Sequence, residues 1–183
     1  MPFPDGYLDA LECLARACET YQSLTGGYPI LVGGAAVGLY SAGEFQSGDF
    51  DLVASDDGAF DGAMLACGFV REDRAGHLLI GYHHPEHPGY GVQQVSGPLF
   101  DGRADRARLV RVVVTAGPEC AVVLPSIEDI IADRLAQHAV ASPADDSRLR
   151  QGVLLFRLAD TPDLAYLKRR ILEEGGDPAW LGL

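Results

Sequence analysis

Apolar positions follow two periods along this chain, and the change from one to the other divides it. Leu8, Leu11, Leu14 or Ala15, Cys18 and Tyr21 recur at the spacing that lays one apolar stripe on a helix, predicted from Asp5 to Leu24 and ended by Thr25-Gly26-Gly27. Ile30-Leu31-Val32 is too short and too β-branched for a helix and reads as a buried strand running into Gly33-Gly34, with a short helix from Ala35 to Tyr40 directly behind it. A polar, glycine-containing loop leads to Asp49-Phe50-Asp51-Leu52-Val53-Ala54. Strand alternation there sets both aspartates on one face and Phe50 and Leu52 on the other. Ser55, Asp56 and Asp57 supply cap oxygens for a helix reaching Cys67, which Gly68 stops. Short β-rich runs follow at Phe69 to Arg71, His77 to His83, Gly91 to Ser96, Leu109 to Thr115 and Ala121 to Leu124.

After Leu124 the helical period takes over. Ser126 with Asp129 forms a variant capping box ahead of Ile127, Ile130, Ile131 and Leu135. A second helix is predicted from Asp145 to Leu158. A third is predicted with Thr161 as cap, Pro162 at its first position and Gly175-Gly176 at its end. The pattern gives an α/β (α+β) fold: a mixed sheet flanked by helices over residues 1–124, then a C-terminal helical segment over 125–183 packed on that core.

Composition narrows the function classes. With 183 residues, 48% of them apolar, the chain can bury one substantial core. Its formal charge of −12, from 14 basic and 26 acidic residues, argues against non-specific DNA binding, since a phosphate backbone would meet net repulsion. Cys13, Cys18, Cys67 and Cys120 form no CxxC pair and sit in apolar runs, as expected of reduced thiols in a cytoplasmic protein. Residues 1–10 have neither a basic n-region nor an apolar h-region, and no apolar stretch is long enough for a bilayer, so neither export nor membrane insertion is expected.

The chemistry concentrates between Ile30 and Ala54. Gly33-Gly34, at a strand-to-helix junction, lets backbone amides approach a phosphate closely. Asp49 and Asp51 project in parallel and can share a hard cation, Mg²⁺ or Mn²⁺. Alone, the diglycine would read as a turn; the combination carries the weight. Elsewhere, His83-His84-Pro85-Glu86-His87 has donors that suit zinc. Neighbours on an extended strand diverge, however, and Pro85 and Pro88 mark a loop, so a solvated hairpin tip is expected. Arg103, Arg106, Arg108 and Arg111, interrupted by Asp105, read as a polar connector into a strand, the alternative being a docking patch for an acidic or nucleic-acid acceptor.

The stretch ILVGGAAVGLYSAGEFQSGDFDLVA resembles the nucleotidyltransferase superfamily, the DNA polymerase β-like fold, whose hydrophobic residue, Gly-Gly, small hydroxyl residue and Asp-hydrophobic-Asp match Val32, Gly33-Gly34, Ser47 and Asp49-Phe50-Asp51. LPSIEDIIADRL, from Leu124 to Leu135, and the closing helices resemble small bacterial nucleotidyltransferases of the abortive-infection toxin type, in which a Lys commonly stands at the place of Arg134. The resemblance implies that an NTP, with ATP the first expectation, binds with Mg²⁺ through Asp49 and Asp51. Gly33, Gly34 and Ser47 would cradle phosphates, and Arg134 would either reach phosphate or form a surface ion pair with Asp133. A nucleoside monophosphate would pass to an unknown protein or RNA acceptor. Two departures stand out: the loop's usual basic residue is missing, and the family's third acidic residue, on a later strand, falls at Gln93, or at Gln94 if the register slips by one. An amide takes no proton at neutral pH, so the resemblance equally implies a catalytically impaired module that binds nucleotide or a cognate partner protein, as in a toxin–antitoxin pair. A structural domain with an incidental Asp-x-Asp is the remaining alternative.

Overall fold

The structure is a computed structural model describing residues 3–72, 81–114, 120–142 and 144–183. Helix α1 (Tyr7–Thr25) leads into β1 (Ile30–Val32), α2 (Gly33–Tyr40), β2 (Asp49–Val53) and α3 (Asp57–Ala66). Strands β3 (Val70–Glu72), β4 (Gly81–His84), β5 (His87–Val95), β6 (Val110–Val113) and β7 (Ala121–Leu124) complete the sheet. Helices α4 (Ile127–Val140), α5 (Ser147–Leu158) and α6 (Leu164–Glu174) follow it. Short 3₁₀ turns lie at Leu99–Gly102, Arg106–Arg108 and Pro178–Leu181.

Among the described residues the sheet has seven strands in the order β3-β4-β5-β2-β1-β7-β6. The pairs β1–β7 and β2–β5 are parallel and the rest antiparallel, so this is the mixed sheet the pattern predicts. The β5 strand begins at His87, four residues before the predicted start at Gly91, because its first residues pair back across a tight turn onto β4. Residues 77–80 of the predicted strand from His77 to His83, and Thr115 at the end of another, lie outside the described residues.

One apolar cluster joins α1, the inner sheet face, α3 and the C-terminal helices, through Leu14, Phe50, Met64, Ile131, Leu155 and Ile171 among others. Burying side chains such as Phe50 and Leu52, 1% and 0% exposed, is worth about 1.5–3 kcal/mol each. The α1 stripe is buried as predicted from Leu11 through Tyr21, and only its first member departs: Leu8 is 50% exposed, while Tyr7 and Ala10 are buried. Gly6, in the left-handed region at φ 76°, sets the chain entry, and Tyr7 stacks on Phe3 at 5.0 Å and tilts against Phe50 at 5.3 Å.

The helical caps show how α6 is held. Asp56 caps α3 by accepting from the Ala59 amide, and Ser126 caps α4 by accepting from the Asp129 amide. For α6 the cap is Asp163, accepting from the Tyr166 amide, and Pro162 lies outside the helix, contrary to the Thr161-Pro162 reading. Asp129 accepts from the Ser126 and Tyr166 hydroxyls and from Arg170 Nε at 2.7 Å, instead of reaching back to a backbone amide. Both charges are sealed, Asp129 at 1% and Arg170 at 0% exposure, and Arg170 also reaches Glu173 and Glu174. This network fixes α6 against α4.

Candidate active site

Strand β1 runs antiparallel to β2 with Val32 opposite Asp51, so the chain leaves β1 into Gly33 directly beside the Asp51 carboxylate. A Cβ built on Gly33 would lie 2.5 Å from Asp51 Oδ2, and Gly33 has φ +68°, so only glycine fits both the backbone and the space. On Gly34 a Cβ would come 3.0 Å from Ser47 Oγ. Ser47 in turn donates to the Asp49 carbonyl at 2.9 Å, folding the loop before β2. The predicted residues Gly33, Gly34, Ser47, Asp49 and Asp51 therefore converge. The expected short helix begins two residues earlier than predicted, at Gly33, so the diglycine forms its first turn. Its N-cap, Val32, offers no side-chain acceptor, which leaves first-turn amides available to an anion.

The parallel β2–β5 register sets Asp49 opposite Gly91 and Asp51 opposite Gln93. Gln93 thus shares the face of the aspartates, whereas Gln94 lies on the other face and donates to Asp57 Oδ1 at 2.6 Å, which settles the register in favour of Gln93. Gly91 is a residue the sequence reading missed: a Cβ there would lie 2.7 Å from Asp49 Oδ1. Among the described residues no hydrogen bond or ion pair engages the Asp51 carboxylate. Its pKa is raised, first by burial and then by repulsion from Asp49, with Arg134 partly offsetting both.

These groups line a cleft of about 640 Å³ walled on the far side by α4 and α5. Arg134 belongs to that wall. It is 3% exposed and pairs with Asp133, with Nε 3.0 Å from Oδ2, so it forms a buried pair and not the surface pair weighed from sequence. Asp133 also accepts from Gln137, whose Oε1 accepts from Arg148 Nε at 3.2 Å, so a polar chain runs along the cleft. Gln151 also lines the cleft, and its Oε1 is buried without a hydrogen-bond partner. Gln137, Arg148 and Gln151 carry no signal in sequence, because two helices distant from the Asp-x-Asp segment bring them there.

Three of the four arginines in the run make internal contacts. Arg103 donates to the Glu173 carbonyl and pairs with Glu174, Arg108 pairs with Asp163, and Arg111 pairs with Glu19. These tie the connector to the body, as its polar-connector reading expects. Among the described residues no helix is long and apolar enough to cross a membrane.

No family model matches the sequence, and no curated protein matches it. Solved structures do match. An antigenic nucleotidyltransferase-like protein from Paracoccidioides brasiliensis is 17% identical with a TM-score of 0.59, over 98% of this chain and 93% of that one. The antibiotic-resistance factor ANT(2'')-Ia is 14% identical with a TM-score of 0.55, over 90% of each chain. The nucleotidyltransferase toxin MenT4 from Mycobacterium tuberculosis H37Rv is 18% identical with a TM-score of 0.54, over 91% of this chain and 64% of that one. At these identities the likeness is one of architecture: the chain has the nucleotidyltransferase fold.

Proposed function

We propose that the chain binds an NTP, ATP by first expectation, with Mg²⁺ or Mn²⁺ in the cleft above Asp49 and Asp51, and transfers a nucleoside monophosphate to an acceptor hydroxyl. The observation that carries this reading is the contact between Gly33 and Asp51, where a Cβ would come within 2.5 Å of a carboxylate oxygen. That contact brings a phosphate-binding turn and a pair of hard oxygen donors to one point. The donor set suits a divalent cation. Two carboxylates share one strand face, and the half-buried member has a pKa raised first by burial and then by repulsion from its neighbour. Asp49 and Asp51 would hold the ion, which when bound supplies charge neutralisation across the phosphates. The first-turn amides of α2 orient phosphate oxygens, joined by the Ser47 hydroxyl once it releases the Asp49 carbonyl, and Arg134 on the opposite wall reaches phosphate by exchanging its Asp133 partner. The acceptor oxygen forms a bond to the α-phosphorus, pyrophosphate leaves, and the hydroxyl proton is lost to solvent or a base.

Gln93 favours a second reading. It faces Asp51 on β5, and its amide can accept a hydrogen bond but takes no proton. Nucleotide and metal binding would survive without efficient transfer, as in a module that serves a cognate partner protein. Two neighbours support the chemistry by analogy: ANT(2'')-Ia has been solved with adenylyl-2''-tobramycin, and MenT4 is described as a nucleotidyltransferase toxin. The test is incubation with labelled NTPs, Mg²⁺ or Mn²⁺ and a lysate containing protein and RNA. Label transferred by the native chain and lost in Asp49→Asn and Asp51→Asn supports the enzyme. A weak signal raised by Gln93→Glu supports the lost-acid reading. If ATP with metal at near-millimolar concentration gives no thermal stabilisation and no label moves, both readings fail.

A further inference from the structure

The sheet face opposite the cleft carries a second set of metal-type donors. His84 and His87 are directly paired across the tight β4–β5 turn, with ring centroids 5.7 Å apart, and cross-strand partners of this kind project from the same face. Helix α1 crosses that face and presents Cys13. One nitrogen from each imidazole and the Cys13 sulfur all lie within 4.8 Å of one another. His83 is directed elsewhere, with its Nδ1 3.6 Å from Glu72 Oε1.

We propose that Cys13, His84 and His87 form a zinc site that clips α1 to the β4–β5 hairpin, with a fourth position for water. One thiolate and two imidazoles are the borderline-soft donors that select Zn²⁺ over Mg²⁺, so this site and the Asp49–Asp51 pair would take different ions. Tetrahedral Zn–S and Zn–N bonds of about 2.3 and 2.0–2.1 Å put donor atoms roughly 3.3–3.6 Å apart. Gly68 keeps the space beside one ring open, since a Cβ there would meet His84 Nε2 at 3.2 Å. A bound cation would stabilise the Cys13 thiolate.

Cobalt serves as the spectroscopic probe for this site, because a thiolate-to-cobalt charge-transfer band reports sulfur ligation that the carboxylate pair cannot give. The metal-stripped full chain titrated with Co²⁺ should develop this band to saturation at one ion per chain, and Zn²⁺ should bleach it. Cys13→Ser should abolish the band, and His84→Gln or His87→Gln should weaken Zn²⁺ binding by more than about 100-fold, beyond the usual effect of groups outside a ligand set. Cys67→Ser is the control, since that thiol contacts Thr20 Oγ1 at 3.4 Å and should leave the band intact. In the unmutated chain, Zn²⁺ should slow iodoacetamide alkylation of Cys13, mapped by mass spectrometry, and chelator should restore it. No charge-transfer band, a band that survives Cys13→Ser in a folded variant, or alkylation of Cys13 indifferent to Zn²⁺ would each overturn the site.

Discussion

Replacing Asp51 by Asn should make the metal-free protein more stable at neutral pH, the opposite of what removing a structural residue does. Residues two apart on a strand are about 6.6 Å apart along the chain, so two carboxylates repel by about 2.5 kcal/mol at an effective dielectric of 20 and about 0.6 kcal/mol in water. Asp49 is exposed and Asp51 half-buried, and Arg134 offsets part of the cost, so a net gain of about 0.5–1.5 kcal/mol is expected. For a chain of this size that is a rise of roughly 1–6 °C in Tm. The pH dependence fixes the cause. The folded-state pKa of Asp51 is raised, so its contribution to stability is fully present below the unfolded-state pKa and is lost as pH rises through the folded value. The advantage of Asp51→Asn should therefore be complete at neutral pH and fade as pH falls into the ordinary carboxylate range. Urea melts of both proteins in chelator, at neutral and acidic pH, measure it. Asp51→Asn destabilising the chain, or stabilising it equally at both pH values, would refute the idea that this carboxylate is held against its own electrostatics.

Gly33→Ala should lose about 1–2 kcal/mol from the left-handed backbone alone, and more from the Cβ contact with Asp51, and should abolish ATP-dependent thermal stabilisation. Gly91→Ala has no such backbone penalty but must displace Asp49, so calorimetry should show weakened Mg²⁺–nucleotide binding with a melting temperature close to the native one. Arg170→Ala, which strands the buried Asp129, should cost about 3–5 kcal/mol in urea unfolding. Asp56→Ala removes the α3 cap and should cost about 1 kcal/mol, read in the same assay.

The parts of this protein that were legible in sequence are those written in local periodicity. The β2 alternation places Phe50 and Leu52 inward and Asp49 and Asp51 on the cleft face, as the pattern predicts, because a strand embedded between two others has no freedom to reverse its faces. The diglycine, a plain turn when read alone, was legible because Asp49-Phe50-Asp51 follows it on the next strand. Elements whose position depends on a distant partner were not. The wall formed by Gln137, Arg148 and Gln151 exists only because α5 packs against α4, where Arg148 donates to Gln137, and the local pattern around those residues is that of an ordinary amphipathic helix.

The two sheet faces bring this contrast to one segment. The same reasoning that separated His83 from His84 by strand alternation is correct for neighbours, yet it overlooks the pairing of His84 with His87 across a two-residue turn. It also has no access to Cys13, some seventy positions upstream on α1. That helix buries Tyr7 against Phe50, whose strand neighbours are the two cleft aspartates, so a clip on α1 bears on the strand that carries them. Coupling between the faces would run through this packing: ordering α1 from below should stiffen β2, and with it the separation of Asp49 and Asp51. If zinc occupies the lower site, adding it should therefore tighten Mg²⁺–ATP binding above, and calorimetric titrations in which zinc leaves nucleotide affinity unchanged would show that the two faces act independently.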